Sequence, residues 1–85
     1  MFNEKLLNHK SLVKHHKLFD GVQYFYRVNK YFSFSVIRHS ASYGGKQGLY
    51  EMASIVLGEE EFEIIGEPAG NLTVKEVIEI LEGNK

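Results

Sequence analysis

Tyr31-Phe-Ser-Phe-Ser-Val-Ile37 and Leu49-Tyr-Glu-Met-Ala-Ser-Ile-Val-Leu57 are the two most strand-like segments of this 85-residue chain. Large apolar and small polar residues alternate in the first segment, which predicts a β-strand with one face in the core. The second segment is apolar at most positions, which predicts a central strand covered on both faces over part of its length. The polar, glycine-rich segment Arg38–Gly48 lies between them and is predicted to be the loop of an antiparallel pair.

Two further strands are predicted outside this pair. Aromatic and β-branched residues alternate over Val22–Val28, and the short Asn29-Lys30 segment suggests a tight hairpin to the next strand, although a longer loop is also compatible. Glu61–Ile65 reads as a short fourth strand with Phe62 and Ile64 facing inward. Gly66–Asn71 contains a proline and is predicted to be a loop.

Helical signals occur at both ends of the chain. Thr73 and Glu76 form a capping box, and the apolar residues that follow recur at the spacing of an amphipathic helix that ends near Gly83. The apolar pattern of Met1–Phe19 is broken, so this segment is predicted to be a short helix, capped by Asn3, or a loosely attached arm.

These elements predict one α+β domain over residues 1–85. Short connections favour a four-stranded antiparallel meander sheet with the C-terminal helix packed on one face. A small curled barrel is the alternative architecture.

The composition restricts the classes of protein to consider. The chain has no cysteine, no apolar run near the ~18 residues of a membrane span, and no signal-peptide core, so a cytoplasmic protein without membrane contact is expected. Its net charge is −1, which argues against general nucleic-acid binding. Met1–Asp20 has four lysines against two acids, whereas Glu59–Glu82 has eight glutamates against one lysine. Both segments can be solvated faces, or they can orient the protein against a charged partner.

Three segments together resemble a known group of proteins. These segments are Gly-Val-Gln-Tyr (21–24), Ser-Val-Ile-Arg-His-Ser-Ala-Ser-Tyr-Gly (35–44) and Gly-Leu-Tyr-Glu-Met-Ala (48–53). They resemble small uncharacterised bacteriophage and prophage proteins with a Gly-Val-Gln-Tyr strand and an Arg-His-x-x-Ser-Tyr-Gly loop. The resemblance implies a phage-type accessory protein that binds host machinery, including defence systems such as CRISPR effectors. It covers less than half of the chain and implies no catalytic activity.

The Arg38–Gly48 loop is the densest set of candidate binding residues. Its positive charges and hydrogen-bonding groups suit a phosphate or another anion. These residues are Arg38, His39, Ser42, Tyr43 and Lys46. The alternative is a mobile hairpin loop whose Tyr43 folds back on the core.

Two other surfaces are candidates for binding. Tyr24, Tyr26 and Arg27 of the first hairpin could form an aromatic interface, although such residues are more often the core face of a strand. The acidic turn Glu59, Glu60 and Glu61 could contact a partner.

The sequence gives little support for metal, cofactor or catalytic chemistry. His15 and His16 are adjacent and so point to different sides of a helix or a strand, and no carboxylate or thiolate lies at a suitable spacing to complete a metal site. His39 has no acid nearby in the loop to orient it as a general base. We therefore expect no cofactor, no metal and no enzymatic activity.

Two functional hypotheses remain. The first is a non-catalytic module that binds a host protein and can inhibit a defence system. The second is an oligomeric binding protein for a phosphate-bearing nucleotide, which uses the Arg38–Gly48 loop.

Overall fold

The computed structural model describes residues 2–83 and contains a five-stranded sheet with two helices. The elements are α1 (Glu4–Leu7), β1 (Leu12–Leu18), β2 (Gly21–Arg27), β3 (Ser33–Arg38), β4 (Tyr50–Leu57), β5 (Phe62–Leu72) and α2 (Val74–Gly83). A short 3-10 helix, Gly45–Gln47, lies in the loop between β3 and β4. The predicted α+β class, antiparallel sheet and C-terminal helix are confirmed.

The prediction of four strands is wrong, because the sheet has the order β1-β2-β3-β4-β5 with every neighbouring pair antiparallel. The additional strand is β1, which lies in the segment that was expected to be a helix or a loose arm. Among residues 2–19, only α1 is helical, with the Asn3 side chain accepting hydrogen bonds at its start as predicted. Because β1 is an edge strand with mostly exposed side chains, its apolar periodicity is weak.

The last strand is longer than predicted. β5 continues through Gly66–Asn71, which was expected to be a loop. Its pairing with β4 shifts register twice between Tyr50 and Ser54, and Gly66 and Asn71 have φ values of 78° and 57°. Pro68 lies in β5, which is an edge strand of the sheet, and edge strands are where proline is tolerated.

The connection between β2 and β3 is the longer of the two loops that the sequence allowed. It comprises residues 28–32, and the Asn29 side chain accepts hydrogen bonds from the backbone N–H groups of Tyr31 and Phe32. Val28 closes the loop by donating to the carbonyl of Phe32.

Both helices cover the same face of the sheet. Val77 and Leu81 of α2 and Leu6 of α1 are buried there against even-numbered residues of β2, β3 and β4. Thr73 and Glu76 form the predicted capping box: the Glu76 N–H donates to the Thr73 hydroxyl, and the Thr73 N–H donates to the Glu76 carboxylate. His9, which follows α1, pairs with Glu82 near the end of α2 and so ties the two helical segments together.

The sheet curls strongly toward its opposite face, which is concave. The rings of Phe25 in β2 and Phe62 in β5 meet with centroids 5.0 Å apart, although two strands separate them in the sheet. Phe25, Ala53 and Ile55 form a second, smaller cluster on this concave face. Within residues 2–83, β1 and β5 are not paired, so the sheet stays open and does not close into the barrel considered as the alternative.

Candidate binding surface

The predicted binding residues divide between two ends of the sheet. Arg38, His39, Ser42, Tyr43 and Lys46 lie in or beside the β3–β4 loop, which we call the loop end. The turn between β4 and β5 lies beyond the other end of β4, next to the β2–β3 loop, and we call this side the hairpin end. The eight residues of β4 span roughly 25 Å at ~3.4 Å per residue, so the two ends cannot form one small site.

Tyr24 and Tyr26 belong to neither end. Both are completely buried, so the expectation that they form an exposed aromatic surface is wrong, and the alternative of a core face applies. The Tyr26 hydroxyl donates to the Leu6 carbonyl at 2.7 Å, and the Tyr24 hydroxyl accepts from the Asn3 N–H at 2.9 Å. The two phenols therefore hold α1 on the sheet, and burial raises the pKa of both hydroxyls.

At the loop end, a cavity of about 190 Å³ is lined by Arg38, His39 and Lys46, as an anion site would require. Asp20, from the β1–β2 turn, also lines it and accepts a hydrogen bond from the Ser40 N–H at 3.0 Å. The hydrogen bonds from Ser40 lower the pKa of this carboxyl. The negatively charged Asp20 therefore lines the cavity in which a phosphate would bind. Its carboxylate already accepts the hydrogen bond of one backbone donor, the Ser40 N–H.

Other polar groups of this loop also have partners within the loop. The Ser42 hydroxyl donates to the His39 carbonyl at 2.9 Å and accepts from the His39 N–H at 3.0 Å. The His39 Nδ1 accepts from the Ala41 N–H at 3.2 Å. These contacts shape the loop, and they do not place the Ser42 hydroxyl on the imidazole ring as a nucleophile–base pair would require.

Tyr43 does not fold back on the core, contrary to the alternative considered for this loop. Its side chain is 68% exposed, while its N–H donates to the Glu51 carboxylate and its carbonyl accepts from Asn71. The backbone is thus anchored to β4 and β5, and the side chain lies beside Gly70 of β5 with most of its surface exposed.

Phe19 is an exposed residue at the loop end that the sequence reasoning did not single out. It is 84% exposed, and its ring edge lies against His39 with centroids 5.2 Å apart. It also has a φ of +54°, which is rare for a bulky side chain. The signal in the sequence was a large apolar residue immediately before an Asp-Gly turn.

At the hairpin end, the three acidic side chains of the turn are exposed, as predicted. Glu59, Glu60 and Glu61 lie in the turn that Gly58 closes by donating to the Glu61 carbonyl at 2.9 Å. Arg27 reaches this turn from β2, and its guanidinium donates to the Leu57 carbonyl at 3.1 Å. Arg27 and the acidic turn are therefore brought together.

An apolar patch lies beside this turn, on the helix-covered face but beyond α2. We call Phe32, Val56 and Ile65 the hairpin patch. Their exposed fractions are 44%, 58% and 50%. Val56 pairs with Glu63, and Ile65 pairs with Ser54 two residues along β4, so Val56 and Ile65 are diagonal neighbours on one face. Because Ser33 pairs with Ile55 in antiparallel register, Phe32, the residue before Ser33, lies next to Val56, the residue after Ile55.

The hairpin patch is exposed because α2 is too short to cover the sheet. Ten helical residues span about 15 Å at 1.5 Å per residue, which is little more than half the length of β4. The patch has an acidic rim, formed by the turn glutamates and by Glu63 on β5. An exposed apolar area with a polar rim is typical of a protein-binding surface.

The histidines of β1 do not converge on a metal site. His15 packs against the Phe2 ring on the helix-covered face, whereas His16 bonds Gln23 on the concave face. In residues 2–83, no group of three or more histidine or acidic side chains is placed to hold a metal ion. Across the same residues, neither helix has the length and apolar character needed to cross a membrane.

Comparison of the chain with protein-family models, with curated proteins and with solved structures finds no match in any of the three. We therefore infer the function from the chemistry of this chain's own surfaces.

Proposed function

We propose that this chain is a non-catalytic, phage-type accessory protein that binds a host protein through its hairpin end. The hairpin patch is the centre of the contact, and the turn glutamates with Glu63 form its rim. The resemblance of the Gly21–Leu57 region to phage proteins suggests that the target belongs to host machinery, such as a CRISPR effector.

The observation that carries this proposal is the half-exposed state of three large apolar side chains on one face, next to four glutamates. Exposed apolar area of this kind is unfavourable in water and is stabilised when a partner covers it. The acidic rim defines the partner's chemistry as an apolar surface bordered by lysines or arginines. Proteins that bind nucleic acids carry such basic surfaces, which agrees with a defence nuclease as the target.

The loop end gives weaker support for a binding role. Asp20 lines the same cavity as Arg38 and Lys46, and the Ser42 hydroxyl bonds within the loop. The second hypothesis, an oligomeric binding protein for a phosphate-bearing nucleotide, retains the positive charges of this cavity as its basis. An increase in thermal stability with a nucleotide, lost in Arg38→Ala, would support that hypothesis instead.

The experiment is affinity capture from host lysate with a tagged wild-type chain and three variants. Val56→Asp places a charge in the hairpin patch, and the triple variant Glu59→Lys, Glu60→Lys, Glu61→Lys reverses the acidic rim. All four positions are exposed, so the fold should persist in both variants. Tyr43→Ala is the matched control at the loop end.

We expect one host protein at stoichiometric yield with the wild type and with Tyr43→Ala, and at least a tenfold lower yield with the other two variants. Capture should also weaken as salt is raised, because the rim is exposed and screened. Equal capture by all four chains would overturn the proposal. Light scattering measures the mass of the purified chain in solution. A dimer would indicate that the hairpin patch contacts a second copy and not a host protein.

A further inference from the structure

The concave face of the sheet contains a cavity of about 290 Å³ that belongs to neither the hairpin patch nor the loop end. Its walls are apolar and come from strands at both edges of the curled sheet. They are formed by Leu18 of β1, Ile37 of β3, and Phe62 and Ile64 of β5. The curl that brings Phe62 onto Phe25 closes one side of this space.

The floor of the cavity is polar, although the surrounding face is apolar. Gln23 and Ser35 are each 6% exposed and are diagonal neighbours on β2 and β3, because Gln23 pairs with Ile37 and Ser35 pairs with Phe25. The Gln23 amide donates to the Ser35 hydroxyl at 3.0 Å, and its oxygen bonds the His16 imidazole at 2.7 Å. His16 is exposed on β1, so this chain of hydrogen bonds connects the floor to the surface.

Gln23 and Ser35, which form the floor, each have a further hydrogen-bond donor. An amide has two N–H groups, and a serine hydroxyl can both accept and donate. Gln23 uses one N–H on Ser35, and in residues 2–83 the Ser35 hydroxyl has only this contact, in which it accepts. Buried polar groups in proteins nearly always have partners, so the second N–H and the O–H favour an acceptor atom placed in the cavity.

The charge at the cavity restricts that acceptor. Glu51 lines the cavity, and its carboxylate accepts from the Tyr43 N–H at 3.0 Å. A carboxylate at this position disfavours an anionic ligand. Apolar walls, two donors on the floor, a carboxylate that disfavours anions and a volume of this size together match a small neutral ring system that carries a carbonyl or ring-nitrogen acceptor.

We propose that this cavity is a binding site for a small neutral bicyclic heteroaromatic compound, held by Gln23 and Ser35 through its acceptor atom. The ligand's rings contact Ile37, Phe62 and Ile64. This inference does not depend on the proposed host partner, because the cavity and the hairpin patch lie on opposite faces of the sheet.

The test uses two compounds with the same two-ring outline. Quinolin-2-one has a carbonyl acceptor, and naphthalene has no polar atom. Each is titrated into the ¹⁵N-labelled full chain, with the amide signals of Gln23, Ser35 and Ala53 followed by NMR. We expect saturable shifts with quinolin-2-one at millimolar concentration or below, and at least fivefold weaker binding of naphthalene.

The variant Ser35→Ala removes one floor donor, and Ser54→Ala removes a hydroxyl from the opposite face of the neighbouring strand as a matched control. We expect Ser35→Ala to weaken quinolin-2-one binding about three- to tenfold, since one hydrogen bond is lost, and to leave naphthalene binding unchanged. Thermal unfolding of both variants verifies that each remains folded. Absence of shifts with quinolin-2-one, equal affinity for both compounds, or equal effects of the two serine variants would overturn the proposal.

Discussion

At the residue scale, the buried tyrosines explain how a short helix remains attached to the sheet. α1 has four residues, far fewer than an isolated helix needs to be stable in water. The Tyr26 hydroxyl bonds the Leu6 carbonyl, and the Leu6 side chain is completely buried. The hydrogen bond and the apolar contact therefore act on the same residue of α1.

We predict that Tyr26→Phe lowers the free energy of unfolding by about 1–3 kcal/mol, because the Leu6 carbonyl loses its buried partner. Tyr31→Phe is the control, since Tyr31 is 75% exposed. Urea denaturation of the two variants beside the wild type measures the difference. A Tyr26→Phe chain as stable as Tyr31→Phe would show that the hydroxyl does not hold α1.

The tyrosines also predict a dependence of stability on alkaline pH. Burial raises the pKa of the Tyr26 hydroxyl above that of a free tyrosine, so the folded protein holds this proton more tightly than the unfolded chain does. Its contribution is fully present below pH ~10, the usual tyrosine pKa, and is lost as pH rises beyond it. Denaturation midpoints between pH 8 and pH 11 should fall more steeply in the wild type than in Tyr26→Phe.

The period-two pattern of β2 correctly placed Tyr24 and Tyr26 on one face. It could not tell which face α1 and α2 would cover, because both faces of β2 carry aromatic residues. Leu6 and Leu81, which belong to the same core cluster as the two tyrosines, lie near the two ends of the chain. Burial of the tyrosines is thus a tertiary effect.

At the element scale, the β1–β2 turn contains a strained residue. Phe19 and Asp20 connect the paired residues Leu18 and Gly21, and Phe19 has a φ of +54°. In such two-residue turns, a positive φ at the first central position normally calls for glycine. The turn therefore keeps an exposed aromatic ring at a position where glycine would be less strained.

We predict that Phe19→Gly is more stable than Phe19→Ala by about 0.5–1 kcal/mol. Both variants lose the ring, but only alanine keeps the cost of a Cβ in the left-handed region. At a position inside a strand or a helix, the alanine variant would be the more stable of the two. Urea midpoints of the two variants measure it, and a more stable alanine variant would contradict the turn geometry.

Edge strands are the elements that the sequence predicted least well. β1 was predicted to be an arm and half of β5 a loop, because side chains on an edge strand are exposed on both faces and lose the alternation that marks a half-buried strand. The central strands β2, β3 and β4, together with the capped helix α2, were predicted from their apolar patterns, and the structure confirms these elements. The expectation that only one face of β3 lies in the core is wrong, because Ser33 and Ser35 on its other face are also buried.

At the scale of the whole molecule, the uneven charge of the sequence becomes a spatial arrangement. Lysines and histidines lie along β1, at one edge of the sheet. Glutamates lie in the β4–β5 turn and along β5, at the other edge. The sequence predicted the acidic turn as a candidate surface. It could not predict the hairpin patch, since Phe32, Val56 and Ile65 are far apart in sequence and meet only through strand register.

The most direct test of the proposed function is a photo-crosslinking map of the molecule in host lysate. A benzophenone amino acid replaces Val56 in the hairpin patch in one chain, and Tyr43 at the loop end in another. Both side chains are exposed, so the probe reaches solvent in each. We predict a single crosslinked host protein from position 56 and none from position 43. A crosslink to a host protein from position 43 alone would contradict this prediction.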